Sequence, residues 1–238
     1  MRPLPQQPWL EARGVRFNSH GQQILDDISL SFRPGELTLL VGRNGCGKTT
    51  LLKILAGLLR PDGGSFVCQG SKNNWPQQYR LLQKKVCYLH QDPYLFDATV
   101  FNNIAYGLKC RRLSGVAMEQ RVRQALEATS MEHLAGRHSR ELSGGEKQRV
   151  AMARAWVLSP RLMLLDEPLA NMDQESRHQC RLLIRQLQDS GMGIMLTSHE
   201  GKHKGLRVTR ELKLADGKLT LQSPLPSNGE VIPLKTGN

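Results

Sequence analysis

Apolar and polar residues alternate from Leu10 to Phe17 and again from Gln23 to Phe32, with Ser19-His20-Gly21 between them. That pattern predicts two half-buried strands joined by a tight turn. Pro34-Gly35 turns the chain again, and Leu37 to Val41 is a short continuous apolar run. Such a run suits a strand buried on both faces of a mostly parallel sheet. A Gly-rich loop follows, after which Leu51, Leu52, Leu55 and Leu58 recur at helical spacing. The spacing predicts a helix from about Lys48 to Leu59, stopped by Pro61-Asp62-Gly63-Gly64. Val86 to His90, Leu162 to Asp166 and Ile194 to Ser198 are further candidate buried strands, each followed by polar residues.

Between about Gln91 and Leu142 the period becomes helical, as in Glu119 to Ser130, where Val122, Ala125 and Leu126 share one face. The expectation is one α/β domain over residues 1–222 with a helical subdomain inserted at about 91–142. Residues 223–238, rich in Pro, Gly, Ser and Asn, are expected to form a loosely packed tail. No internal repeat is visible.

Length and composition narrow the classes. The 238 residues are ample for a sizeable core. No apolar run approaches the roughly 18 residues needed to span a bilayer, and Pro3 and Pro5 stand where a secretory signal needs an apolar core. The expected location is the cytoplasm. Five cysteines, Cys46, Cys68, Cys87, Cys110 and Cys180, lack C-x-x-C spacing, which argues against a zinc site and against a disulfide framework. A formal charge of +12 implies affinity for anions: nucleotide, nucleic acid or an acidic lipid surface.

The chemistry begins at Gly42-Arg43-Asn44-Gly45-Cys46-Gly47-Lys48-Thr49, which fits G-x-x-x-x-G-K-[ST] between an expected strand and an expected helix. Glycines let successive N–H groups turn inward onto phosphate oxygens, and the helix start adds favourable potential for negative charge. Lys48 is expected to reach the β and γ phosphates of a nucleotide, Thr49 to ligate Mg²⁺, and Thr50 to stand beside them. Cys46 lies within this nest, where positive potential favours a reactive thiol that nucleotide would shield. A second element, Leu162-Met163-Leu164-Leu165-Asp166-Glu167, ends a buried strand with two adjacent acids. Ligands of open α/β sheets bind at that end. Asp166 is placed to hold Mg²⁺ and Glu167 to orient or deprotonate the attacking water.

Leu142-Ser143-Gly144-Gly145-Glu146-Lys147-Gln148-Arg149, shortly before the acidic strand, resembles the signature of ABC (ATP-binding cassette) ATPases. The resemblance runs from about Leu10 to Leu221. It implies a P-loop NTPase of the ABC ATPase fold, with a mostly parallel core sheet, an antiparallel β subdomain and the inserted helical subdomain. It further implies that Ser143, Gly144 and Gly145 face a nucleotide held by a second subunit, so that two ATP molecules are sandwiched in a head-to-tail homodimer. Four more positions match the family: Gln91 at the metal site, Asp173 in the loop joining the half-sites, His199 as the γ-phosphate switch, and Phe17 under adenine. Glu146 stands where glutamine is usual, Asn171-Met172-Asp173 where Ala-Leu-Asp is commoner, and Gly201 and Gly205 weaken the helix expected after His199.

The aromatic stretch from Asp92-Pro93-Tyr94-Leu95-Phe96 to Gly107 corresponds to the family's docking region for a helix of the membrane subunit. It resembles small bacterial importer ATPases for tungstate, molybdate or phosphate. That implies separate permease subunits, an indirect solute-binding protein, and a station on the cytoplasmic face of the inner membrane. A soluble ABC ATPase acting on nucleic acid or ribosomes shares the motifs. However, such relatives generally carry two cassettes, and the basic residues here form no uninterrupted run. The motor of an exporter shares every catalytic motif as well.

Overall fold

The computed structural model describes residues 7–68, 71–72, 75–198 and 204–222. In chain order the elements are β1 (Leu10–Ser19), β2 (Gln22–Phe32), β3 (Leu37–Val41), α1 (Lys48–Leu55), β4 (Gly63–Cys68), β5 (Ser71–Lys72), α2 (Trp75–Lys85) and β6 (Val86–Leu89). They continue with α3 (Val100–Cys110), α4 (Gly115–Ala128), α5 (Gly144–Trp156), β7 (Leu162–Leu165), α6 (Gln174–Asp189), β8 (Gly193–Ser198), β9 (Arg210–Ala215) and β10 (Lys218–Leu221). Among the described residues no helix is long and apolar enough to cross a membrane.

β1 and β2 form the expected hairpin. Ser19 pairs with Gln22 across His20 and Gly21, both at positive φ (49° and 78°), which matches the twist of a tight antiparallel turn. β4 and then β5 extend it into an antiparallel sheet of order β2-β1-β4-β5. The second sheet has the order β10-β9-β3-β8-β7-β6; its five strands from β9 to β6 are parallel, and β10 closes one edge antiparallel. β7 and β8 are buried throughout, which explains their unbroken apolar runs. One core cluster joins the antiparallel sheet, α1 and one face of the parallel sheet. Another lies on the opposite face against α5 and α6. Both clusters press on β3, so the loop leaving its carboxyl end starts from a fixed strand.

Helix α1 stops at Leu55, four residues before the expected end at Leu59. Gly57 takes φ 69°, its N–H donates to the Ile54 carbonyl, and the Leu58 N–H reaches back to Lys53 at 2.8 Å. That pair of bonds is a Schellman stop, which glycine adopts without the Cβ penalty. Leu58, expected on the core face, therefore emerges 56% exposed. Helix α4 begins at Gly115, four residues before the expected Glu119.

The helical segments share a third cluster, which includes Val100 and Ile104 of α3, Val122 and Leu126 of α4, and Val150 and Ala153 of α5. The opposite face of α5, with Ala151, Met152 and Ala155, packs on the parallel sheet. Helix α5 thus belongs to both cores, and helical packing continues past residue 142.

Candidate functional site

The Gly-rich loop connects β3 to α1 at the carboxyl end of the parallel sheet. Gly47 caps α1 at φ 103°, and a Cβ there would meet Ile24 Cγ2 at 2.9 Å, so both conformation and space require glycine. Lys48 is 6% exposed, and its Nζ donates to the carbonyls of Gly42 (2.8 Å) and Arg43 (3.1 Å). The loop borders a cleft of about 640 Å³. Its walls include Phe17, Asn44, Gly45, Gly47, Lys48, Thr49, Thr50, Gln91 and Glu167, together with Ser19, Ile24, Lys53 and Leu59, which the sequence reading did not single out. Phe17, half-buried against the core, contributes to the wall at one side. Lys53 falls one helical turn after Thr49, a spacing that was legible in the sequence.

The acidic pair arrives from β7. Asp166 is buried, its N–H donates to the Leu89 carbonyl at 3.0 Å, and its carboxylate accepts three side-chain hydrogen bonds. Thr49 Oγ1 reaches Oδ2 at 2.6 Å, Tyr88 Oη reaches the same oxygen at 3.1 Å, and Thr197 Oγ1 reaches Oδ1 at 2.8 Å. Burial first, and the Asp166 charge next, hold the Tyr88 phenol well above its ordinary pKa, so the proton stays on Oη. The next residue, Glu167, sits at φ 45°, a left-handed backbone that costs an L-residue about 1–2 kcal/mol. Its N–H donates to Thr197 Oγ1 at 2.8 Å, which fixes the turn that faces Glu167 into the cleft.

Tyr88 and Thr197 were not anticipated. The available signal was a polar atom at the cleft end of each of two otherwise apolar strands. Thr197 is fully buried, and a buried hydroxyl needs a partner.

Arg43 and Gly42 stand apart from the cleft walls and meet Lys48 through their carbonyls. Cys46 does not line the cleft either. It packs against the apolar core, and a Cβ added at Gly42 would come within 2.7 Å of its Sγ. The thiol therefore sits under the loop instead of facing the space where phosphate was expected. Labelling Cys46 with a maleimide should still abolish nucleotide binding, now by lifting the loop, and bound ATP should slow the reaction. Unchanged ATP affinity in protein shown by mass spectrometry to be labelled at Cys46 would contradict this placement.

Ser143, Gly144, Gly145 and Asp173 form a separate place. Ser143 caps α5, accepting from the Glu146 N–H while Glu146 accepts from the Ser143 N–H, a reciprocal box that contributes about 1 kcal/mol. Burial pushes the Glu146 carboxyl up, but the hydrogen bonds from Ser143 and the nearby Arg137 and Arg149 outweigh it and leave a net lowering. Glu146 in place of glutamine thus completes a carboxylate cap. Asp173 caps α6 through the Ser176 N–H at 2.7 Å, which lowers its pKa. A Cβ at Gly145 would overlap the Ser176 side chain, so the starts of α5 and α6 lie side by side. None of these four residues lines the cleft of its own chain. His199 and the stretch from Gly201 to His203 lie outside the described residues, as do the expected tail and residues 1–6.

A groove of about 740 Å³ opens between α1, β6, α3 and α5. Leu58, Tyr88, Tyr94, Phe96, Tyr106 and Arg111 are among its walls. Tyr94 and Tyr106 are 73% and 47% exposed, and Phe96 stacks on Tyr106 at 4.2 Å between ring centres. The Arg154 guanidinium lies 5.4 Å from the Phe96 ring and donates to the Tyr94 carbonyl. By contrast, Leu95 and Phe101 turn inward against the helical cluster. Part of the aromatic stretch is therefore core, and part is an exposed apolar face.

These features have counterparts among known proteins. The family model described as "ABC transporter" matches residues 25–170, more than half of the chain. The molybdate/tungstate import ATP-binding protein WtpC of Pyrococcus abyssi is 44% identical over 155 residues, which cover 64% of this chain and 44% of that protein. The sulfate/thiosulfate import ATP-binding protein CysA of Pseudomonas aeruginosa is 38% identical over 194 residues, covering 79% and 57%. The chain thus spans about half the length of these two curated relatives. The solved structure of CbiO1 from Clostridium perfringens, described as part of the ABC transporter complex CbiONQ, superposes with a TM-score of 0.83 at 28% identity, over 91% of this chain and 88% of that one. With a Gly-rich loop of the G-x-x-x-x-G-K-[ST] pattern at the end of β3, the paired acids at the end of β7 and this resemblance in sequence and fold, the chain belongs to the ABC transporter family and has the ABC ATPase fold.

Proposed function

We propose that the chain hydrolyses ATP as one half of a homodimer and thereby powers transport of a small solute, an oxyanion or another ion, through separate membrane subunits. The observation that carries this reading is the 2.6 Å contact between Thr49 and Asp166, which joins the loop to the acidic strand end within one cleft. Thr49 Oγ1 and the Asp166 carboxylate are in contact just behind the cleft wall, and Gln91 on that wall can offer its Oε1, so the available donors are oxygens. That set fits Mg²⁺, which favours one or two carboxylates and the phosphates of its substrate. A bound Mg²⁺ would supply charge neutralisation on the β and γ phosphates.

The remaining work falls to the chain. Loop N–H groups and Lys48 hold the phosphates, Phe17 takes the adenine, and Glu167 accepts a proton from the attacking water or orients it. The separation of Ser143, Gly144, Gly145 and Asp173 from their own cleft supports a paired arrangement in which they close the γ-phosphate site of a second copy. His199 is assigned beside that phosphate by resemblance.

The aromatic groove suits a short helix of a permease, because an exposed apolar face of this size marks a contact surface. The +12 charge favours an anionic membrane surface, in keeping with a peripheral position on its cytoplasmic face. A solute-binding protein would act through the permease alone. An oxyanion cargo draws support from the relatives' names, sulfate/thiosulfate and molybdate/tungstate.

The test is to trap tagged Glu167→Gln protein with ATP and Mg²⁺, solubilise membranes gently and identify what co-purifies. A multi-span membrane protein in stoichiometric amount is expected, and Tyr106→Glu, which places a charge in the groove, should lose it while still binding ATP. Ribosomal or nucleic-acid partners, or capture unaffected by Tyr106→Glu, would overturn the assignment.

A further inference from the structure

We infer that Tyr88 is a positioning residue for the metal site: its hydroxyl holds the Asp166 carboxylate in the orientation that Mg²⁺ requires. The inference rests on the reading of Asp166 as a metal-holding group. Asp166 is reached from three elements at once: Thr49 on α1 and Tyr88 on β6 both donate to Oδ2, and Thr197 on β8 donates to Oδ1. Thr49 is itself the hydroxyl assigned to the metal. The carboxylate therefore needs holders that are not metal ligands, and the strands provide one for each oxygen.

The position of Tyr88 gives this hydrogen bond stiffness. β6 pairs with β7 in register, Tyr88 opposite Leu164 and Leu89 opposite Leu165, so the strand carrying the phenol is bonded to the strand that delivers Asp166. The ring is packed against the main core cluster, and it also borders the aromatic groove. A phenylalanine would fill the same space. What tyrosine adds is one donor, spent on the oxygen that Thr49 also reaches. Second-layer donors of this kind fix ligand orientation, and their loss typically weakens metal affinity about 10–100-fold.

Tyr88→Phe removes the donor and keeps the ring. The measurement is the affinity of a fluorescent ATP analogue for the full chain, in Mg²⁺ and in EDTA, with thermal melting of the metal-free protein alongside. The ratio of affinities with and without Mg²⁺ should fall roughly tenfold in Tyr88→Phe, while the EDTA affinity and the melting temperature stay at the wild-type values. Asp166→Asn serves as the reference and should abolish most of the Mg²⁺ enhancement. If Asp166→Asn keeps the full enhancement, the metal assignment of Asp166 fails and this inference with it. If Asp166→Asn loses the enhancement and Tyr88→Phe does not, the role of Tyr88 alone is refuted. An equal loss in Mg²⁺ and EDTA, or a lowered melting temperature that accounts for the loss, would show a packing role and also refute it.

Discussion

Glu167→Gln is expected to lower steady-state ATP turnover by at least two orders of magnitude while ATP affinity stays within about twofold of wild type, the range expected when a positioned base is removed. The structure makes this a clean substitution. Glutamine keeps the length and shape of the side chain, and the hydrogen bond that shapes this corner runs from the backbone N–H of residue 167 to Thr197 Oγ1. Asp166, one residue earlier, keeps its own three donors. The loss should therefore fall on the chemical step. Single-turnover hydrolysis and equilibrium ATP binding, measured on the same preparation, separate the two quantities. A near wild-type single-turnover rate would remove Glu167 from the chemistry.

Lys48→Ala is expected to fail at the other step. Lys48 is 6% exposed, and its ammonium is held at the loop by the carbonyls of Gly42 and Arg43, at 2.8 and 3.1 Å. A charged hydrogen bond contributes about 1.5–3 kcal/mol, and the ammonium is assigned two phosphates, so ATP affinity should fall about 10–100-fold or more. Titration calorimetry with ATP measures this directly. AMP, which carries neither the β nor the γ phosphate, should bind wild type and Lys48→Ala alike. Equal loss for AMP and ATP would mean that the loop had collapsed, and equal ATP binding by the two proteins would contradict the phosphate reading.

Much of the architecture was legible because periodicity and context agreed. β3, β7 and β8 each announce themselves as short apolar runs, since a strand covered on both faces has no polar side to show. The Gly-rich loop and the acidic pair were both legible as standing at the carboxyl ends of buried strands, the end at which open α/β sheets bind their ligands. The end of α1 was less legible: Leu58 continues the leucine spacing, and only Gly57, with its positive φ and its bond back to Ile54, overrides it.

Tyr88 and Thr197 were missed for a different reason. Their hydrogen bonds to Asp166 depend on which strands neighbour β7, and the order β8-β7-β6 is a long-range fact that no local window contains. Cys46 shows the limit of motif reasoning in another way. The loop's identity placed it near the expected phosphates, but the turn of the backbone sends its Sγ beneath the loop. Ser143, Gly144, Gly145 and Asp173 were assigned to a second cleft by resemblance alone; the caps that Ser143 and Asp173 form, and the separation of all four from their own cleft, could be seen only in three dimensions.

The left-handed backbone at Glu167 has a consequence for how this chain can vary. Glycine or asparagine would relax that turn, and the Thr197 contact, which is made by the backbone, would survive either change. Under the role proposed for Glu167, stability and turnover thus pull in opposite directions at one codon. Selection for heat resistance alone would drive the position away from glutamate, so on that proposal its retention in an evolving lineage would record continued demand for hydrolysis, and a thermostable but silent descendant would betray itself there first.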